Sequence, residues 1–184
     1  ASHGAGEPGI LTTAPVGGIA ASMSQPSAVS RAMIDRLIAF DTTSRDSNLA
    51  LIDFVRQYLA GHGVESELVP SADGRKANLF ATIAPAGGAA KPGIVLSGHT
   101  DVVPVDGQPW TTEPFKATER DGRLYGRGTS DMKSFVAVCL ALVPEIRAAI
   151  PKLPIHLAFS YDEEVGCIGV RSMIDMVCPP RQGV

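Results

Sequence analysis

Ile94-Val95-Leu96-Ser97-Gly98-His99-Thr100-Asp101 is the stretch whose reading decides the fold. Its first three residues are wholly apolar, which suits a short strand buried on both faces. Such a strand delivers His99 and Asp101 at its C-terminal end. A second apolar run, Ile155 to Tyr161, delivers Asp162-Glu163-Glu164 in the same way. Helical patterns lie between and around these runs, and strands alternating with helices indicate an α/β layer fold. Functional sites in such sheets lie beyond the carboxyl ends of the strands. The histidine and the acidic triple are therefore expected side by side.

Working outward, Ser27 to Phe40 predicts a helix with Val29, Met33, Ile34, Leu37 and Ile38 on one face. Asp41-Thr42-Thr43-Ser44 carries turn chemistry that ends it. Ser47 is placed to cap a second helix with the apolar stripe Leu51, Ile52, Val55 and Leu59, ending at Gly61 or Gly63. Residues 64–69 and 78–83 read as strands joined through Asp73-Gly74, the first closed by Pro70. After a Gly/Ala/Pro loop at 85–93 and the first apolar strand, residues 102–122 read as an irregular loop followed, within the same stretch, by a hairpin or edge segment, with Trp110 and Phe115 as anchors. From Ser134 a mostly buried helix is expected, kinked or restarted at Pro144. A last helix spans about 169–176.

Composition narrows the function classes. Among 184 residues, 19% are charged and the net charge is −3, without the Lys/Arg clustering a nucleic-acid surface needs. No run of 18 apolar residues is present, so no membrane-spanning helix and no membrane partner are expected. The three cysteines, Cys139, Cys167 and Cys178, follow no zinc-finger or CxxC spacing. They read as free thiols of a reducing, cytoplasmic compartment, with Cys139 a small buried hydrophobe. Residues 1–25 are rich in Gly, Ala, Ser, Thr and Pro and lack a secretory signal's basic start and long apolar run. They are expected to be a disordered or artificially appended tail, with Met23 a natural start. Residues 26–184 then form one portion of a catalytic domain.

Three segments carry chemistry, and each has a plainer alternative. A neutral imidazole such as His99 is a common metal ligand, and its second ring nitrogen needs an acceptor, which Asp101 can supply. The alternative is an ordinary His-Thr-Asp turn. Asp131 follows Gly126-Arg127-Gly128-Thr129-Ser130, where the glycines allow a sharp bend before a helix. It is either a ligand or the cap of that helix. The segment lacks the Gly-Lys-Ser/Thr ending of a phosphate loop. Asp162-Glu163-Glu164 is either a solvated loop or a division of labour, Glu164 binding an ion while Glu163 takes a proton from water. No HExxH helix and no GxSxG elbow is present. His62 is expected to serve at a helix C-terminus, and His156 and His3 are assigned no role at the site.

Taken in order, Ser97-Gly-His99-Thr-Asp101-Val-Val-Pro104, Asp121-Gly-Arg-Leu-Tyr-Gly-Arg-Gly-Thr-Ser-Asp131-Met-Lys133 and Asp162-Glu163-Glu164 resemble the M20 metallopeptidase family of peptidases and deacylases. The likeness runs from about residue 27 to 178. Gly128-Thr129 and the Trp110…Pro114-Phe115 spacing look most like its acetylornithine deacetylase branch. The resemblance implies a three-layer, zinc-exopeptidase-like catalytic domain, incomplete in this chain. It implies His99, Asp131 and Glu164 as ligands of two divalent ions (Zn2+ or Co2+), with Asp131 bridging them. Glu163 would be the general base and acid, Asp101 would orient His99, and a cis peptide would follow Asp131. Ser134 stands where many members have Gly.

The family also has a further acidic ligand, a late histidine and a lid and dimerisation domain that are not found before Val184. Each ion would therefore lack one protein ligand, with partial or no occupancy expected in this chain. The implied substrate is a small N-acyl amino acid, N2-acetyl-L-ornithine on the branch likeness, in arginine biosynthesis. The full-length protein would be a homodimer. Desuccinylase, aminoacylase or carboxypeptidase activity within the family, or an inert truncated fragment, stand as alternatives.

Overall fold

Ser27 starts the first helix, α1 (Ala28–Ile38), by accepting the Ser30 N–H on its hydroxyl at 3.1 Å. The computed structural model describes residues 26–88 and 92–178, so the tail expected at 1–25 lies outside the described residues. Met33, Ile34, Leu37 and Ile38 of α1 are buried as their spacing predicts. Val29 is not, because the first turn leaves it on the open rim between α1 and the next helix. That helix, α2 (Leu49–Gly61), buries Leu51, Ile52, Val55 and Leu59 completely. Full burial of each such side chain stabilises by roughly 1.5–3 kcal/mol. Its N-cap position is Asn48, not the expected Ser47. Ser47 still accepts the Leu49 N–H, while Asn48 turns inward. The Asn48 amide pairs in both directions with the Ala77 backbone and donates to Thr100 Oγ1. This ties α2 to the residue after His99. His62 occupies the C-cap position, its ring edge-on to Tyr58.

Strands β1 (Ser66–Pro70) and β2 (Ala77–Ile83) form an antiparallel hairpin around Asp73-Gly74, where Gly74 adopts φ +69°. β3 (Ile94–His99) comes next in sequence. The expected hairpin follows as β4 (Thr118–Arg120) and β5 (Arg123–Tyr125). After α3 (Lys133–Ala141) and α4 (Val143–Ala149), which restarts the helix with Pro144 in its first turn, β6 (Ile155–Ser160) completes a four-stranded sheet. The order is β1-β2-β6-β3; β6 is antiparallel to β2 and parallel to β3. Leu79, Ala81, Leu157 and Phe159 face a core shared with α1, α2 and α3. On the opposite face Asn78 donates to Gly169 O, so the 3-10 turn Gly169–Met173 lies across that side. A four-residue helix, α5 (Ile174–Val177), follows it, close to the expected final helix. The expected α/β architecture, a sheet flanked by helices, is the one observed.

Two expectations need correction. β3 is not buried on both faces, since Ile94 is 52% exposed and Val95 and Leu96 are only half-buried; among the described residues it pairs only with β6 and ends the sheet there. An apolar run reports affinity for burial, not the number of neighbouring strands. α3 is mostly buried as expected, but through Lys133, Val136, Ala137, Cys139, Leu140 and Ala141, while Phe135 and Val138, expected inside, and Leu142 just after it are partly exposed. Gly98 lets α3 sit close on β3, since a Cβ there would meet Phe135 and Val136 at 3.2 Å. The pairing that matters for the site is His99 beside Ser160 in parallel register. It brings the carboxyl ends of β3 and β6 together.

Candidate metal centre

His99 ends β3 almost fully buried. Its Nδ1 lies 3.0 Å from the Asp101 main-chain carbonyl and 3.5 Å from Asp101 Oδ1. The acceptor expected from Asp101 is thus present, with the backbone oxygen nearer than the carboxylate. On its other side His99 Nε2 lies 3.0 Å from Asp131 Oδ1 and 3.6 Å from Glu163 Oε2. Burial works to lower the imidazole pKa. The hydrogen bonds to Asp101 and Asp131 outweigh it and raise the value to about 9.

Asp131 arrives through the glycine-rich turn. Gly128 has φ +86°, and a Cβ there would lie 3.1 Å from Val102 and Lys133 side-chain atoms. The Asp131–Met132 peptide is cis, as the family resemblance implies. The plainer reading of Asp131 fails, because α3 has Met132 at its N-cap and no side-chain capping bond. The Asp131 carboxylate instead projects, largely exposed, toward His99.

The acidic triple leaves β6 through Asp162, a non-glycine residue at φ +54°. The Glu163 and Glu164 N–H groups then donate to the two oxygens of Asp101, at 3.1 and 3.2 Å. Burial would raise the Asp101 carboxyl, but its bonds from His99, Ser44 and these two amides bring it below the usual range. The Glu164 carboxyl is pushed up, first by burial and then by the Asp131 charge. His99, Asp131 and Glu164 each offer a ligand atom, and these atoms lie within 4.8 Å of one another. One imidazole nitrogen and two carboxylate oxygens form a donor set suited to a borderline divalent cation such as zinc. A cavity of about 220 Å³, lined in part by His99, Glu163, Met132, Ser160 and Val170, opens beside these groups.

Sequence reasoning missed Ser44 and Lys76. Ser44 Oγ donates to Asp101 Oδ2 at 2.7 Å from a segment that reads locally as a turn. Its neighbour Thr43 bridges to Val102, which sets the hydroxyl against the aspartate. Lys76 pairs with Asp162 from the β1–β2 connection. Neither residue carries a local signal, because each acts on a partner more than fifty positions away in the chain.

Residues 95–183 match the profile of peptidase family M20/M25/M40. The acetylornithine deacetylase of Pasteurella multocida (strain Pm70) is 37% identical over 149 residues, covering 77% of this chain and 38% of that protein. The acetylornithine deacetylase of Yersinia pseudotuberculosis serotype O:1b is 41% identical over 135 residues, 72% of this chain and 35% of its own length. The chain therefore spans little more than a third of the relatives it matches. In fold, it superimposes on the M20 family metallo-carboxypeptidase Sso-CP2 of Sulfolobus solfataricus with a TM-score of 0.68. That match has 22% identity and covers 80% of this chain and 34% of the other. The three ordered motifs and the architecture around them agree with these matches, which give residues 95–183 the profile of peptidase family M20/M25/M40 and the chain its likeness to acetylornithine deacetylases.

Proposed function

We propose that this chain is the metal-binding portion of a hydrolase that cleaves the amide bond of small N-acyl amino acids. The observation that carries the reading is the approach of His99, Asp131 and Glu164 ligand atoms to within 4.8 Å, with Glu163 beside them. In this reading those three residues would hold the metal. Two divalent ions, zinc or cobalt, would supply Lewis-acid polarisation of the acyl carbonyl and acidify the attacking water.

Glu163 takes a proton from that water and returns it to the leaving nitrogen, as a general base and then a general acid. Its carboxylate is 43% exposed at the cavity, within reach of both solvent and substrate. Asp101 acts without touching substrate. Its carbonyl and carboxylate hold His99 in one orientation, and its two carboxylate oxygens hold the Glu163 and Glu164 backbone. Met132 and Val170 line the cavity with apolar surface that limits water beside the reacting bond.

The substrate of this reading is N2-acetyl-L-ornithine, hydrolysed to acetate and ornithine in arginine biosynthesis, which the two deacetylase relatives support. A cytoplasmic homodimer completes the proposal. Kinetics of the zinc-loaded full-length protein with a panel of N-acyl amino acids test it. The expected outcome is the highest kcat/KM for N2-acetyl-L-ornithine. Preference for an N-succinyl or aromatic substrate overturns the substrate assignment, and absence of hydrolysis across the panel overturns the reaction class.

A further inference from the structure

Asp162 is the acid of the triple that the metal-dependent reading leaves without a task. It is also the residue on which the position of Glu163 and Glu164 turns. At φ +54° it reverses the chain directly after β6, so that two consecutive N–H groups face the two oxygens of Asp101. Left-handed backbone costs most residues with a Cβ and is more tolerable for Asp and Asn, and surrounding contacts help to fix it.

The Ile168 N–H donates to the Asp162 carbonyl at 3.0 Å, and the contact made to the Asp162 side chain is Lys76. Its Nζ lies 2.5 Å from Asp162 Oδ1, and the two side chains are only 14% and 16% exposed. A pair so placed is screened far less than a surface ion pair. The same ammonium also donates to the Ser44 carbonyl oxygen. Ser44 in turn donates its hydroxyl to Asp101, whose carboxylate accepts the Glu163 and Glu164 amides. The contacts form a closed circuit through Lys76, Asp162, the glutamate backbone, Asp101 and Ser44. One cation thereby neutralises Asp162 and sets it apart from Asp101, Asp131, Glu163 and Glu164, the carboxylates gathered around His99.

We propose that Lys76 and Asp162, linked to Asp101 through Ser44, are positioning residues that hold the Glu163-Glu164 turn in its working register. The assignment of work to that turn rests on the metal-dependent reading above. Losing Lys76 leaves the Asp162 carboxylate without its cation beside four others and removes the tie on the turn. Displacement of a catalytic group by about 1 Å can cost on the order of a hundredfold in rate.

The test is a double-mutant cycle, Lys76→Met, Asp162→Asn and both together, in the zinc-loaded full-length protein. Steady-state kinetics are read together with hydrogen exchange of the Glu163 and Glu164 amides. Asn is chosen because it tolerates the left-handed turn while discarding the charge. The expected result for Lys76→Met is a fall in kcat of about tenfold or more with KM changed less than about threefold. The two amides should exchange faster. The double variant should be no worse than Lys76→Met alone, because both changes break one interaction. Additive losses, or a kcat and amide protection equal to wild type in Lys76→Met, overturn the clamp. If the wild-type protein hydrolyses no N-acyl amino acid, the functional reading fails. The amide-exchange comparison then still decides whether Lys76 holds the turn.

Discussion

At the scale of single residues, the proposed function separates groups that would touch a cation from one that would move a proton. Glu163→Ala in the zinc-loaded full-length protein is expected to abolish turnover while leaving metal content nearly unchanged. Kinetics beside elemental analysis check this, and loss of the metal would make Glu163 a ligand instead. His99 adds a pH dependence. Burial opposes its charge, but the hydrogen bonds to Asp101 and Asp131 raise it from its ordinary 6.5 to about 9. A raised histidine stabilises the fold fully below about pH 6.5, and that contribution is lost as pH rises through about 9. Lys133 works in the opposite direction: burial pushes it down to about 8, so its contribution improves from there toward its ordinary 10.5. The His99 contribution is therefore read as the difference between wild type and His99→Gln, in denaturant titrations with chelator present. That difference should favour wild type at pH 6 and shrink by pH 9.5. Zinc competes with the same proton, so its apparent affinity should climb with pH over this window.

At the scale of elements, two parallel strand ends and one returning turn make the site. β3 and β6 end in register, and Thr100 N–H donates to Ser160 O at 2.8 Å, holding the two ends together. Asn78 of β2, fully buried, accepts the Tyr161 N–H and donates to Gly169 O, so it fastens both sides of the acidic loop. The loop returns so closely that a Cβ at Gly169 would lie 2.1 Å from Tyr161 O. Backbone cannot yield there as a flexible side chain would. Gly169→Ala is expected to destabilise the protein by about 1–3 kcal/mol, the usual range for overpacking. Thermal unfolding measures it, and an unchanged midpoint would show that the 3-10 turn can lift from β6 without cost.

At the scale of the whole molecule, burial sorts the thiols. Cys139 is buried against the sheet and pushed up to about 11 by burial, whereas Cys167 and Cys178 are exposed. A thiol reagent at neutral pH should therefore label two cysteines quickly and the third only on unfolding, as mass spectrometry would count. Three rapid equivalents would mean that α3 opens readily. The same long-range packing explains what could be read before any coordinates. The periodicity of α2, the Asp73-Gly74 hairpin and the restart at Pro144 are local patterns, and local sequence carries them. His99, Asp131 and Glu163-Glu164 were legible because each sits at the end of a regular element, where alternating strands and helices gather chemistry. The burial of β3 was misjudged because an apolar run is the same whether one strand or two lie beside it. Ser44, Lys76 and the inward turn of Asn48 had no such signature. Their partners lie 29 to 86 residues away in the chain, and only the folded sheet brings a serine from a turn and a lysine from a hairpin against one buried aspartate and its neighbouring loop.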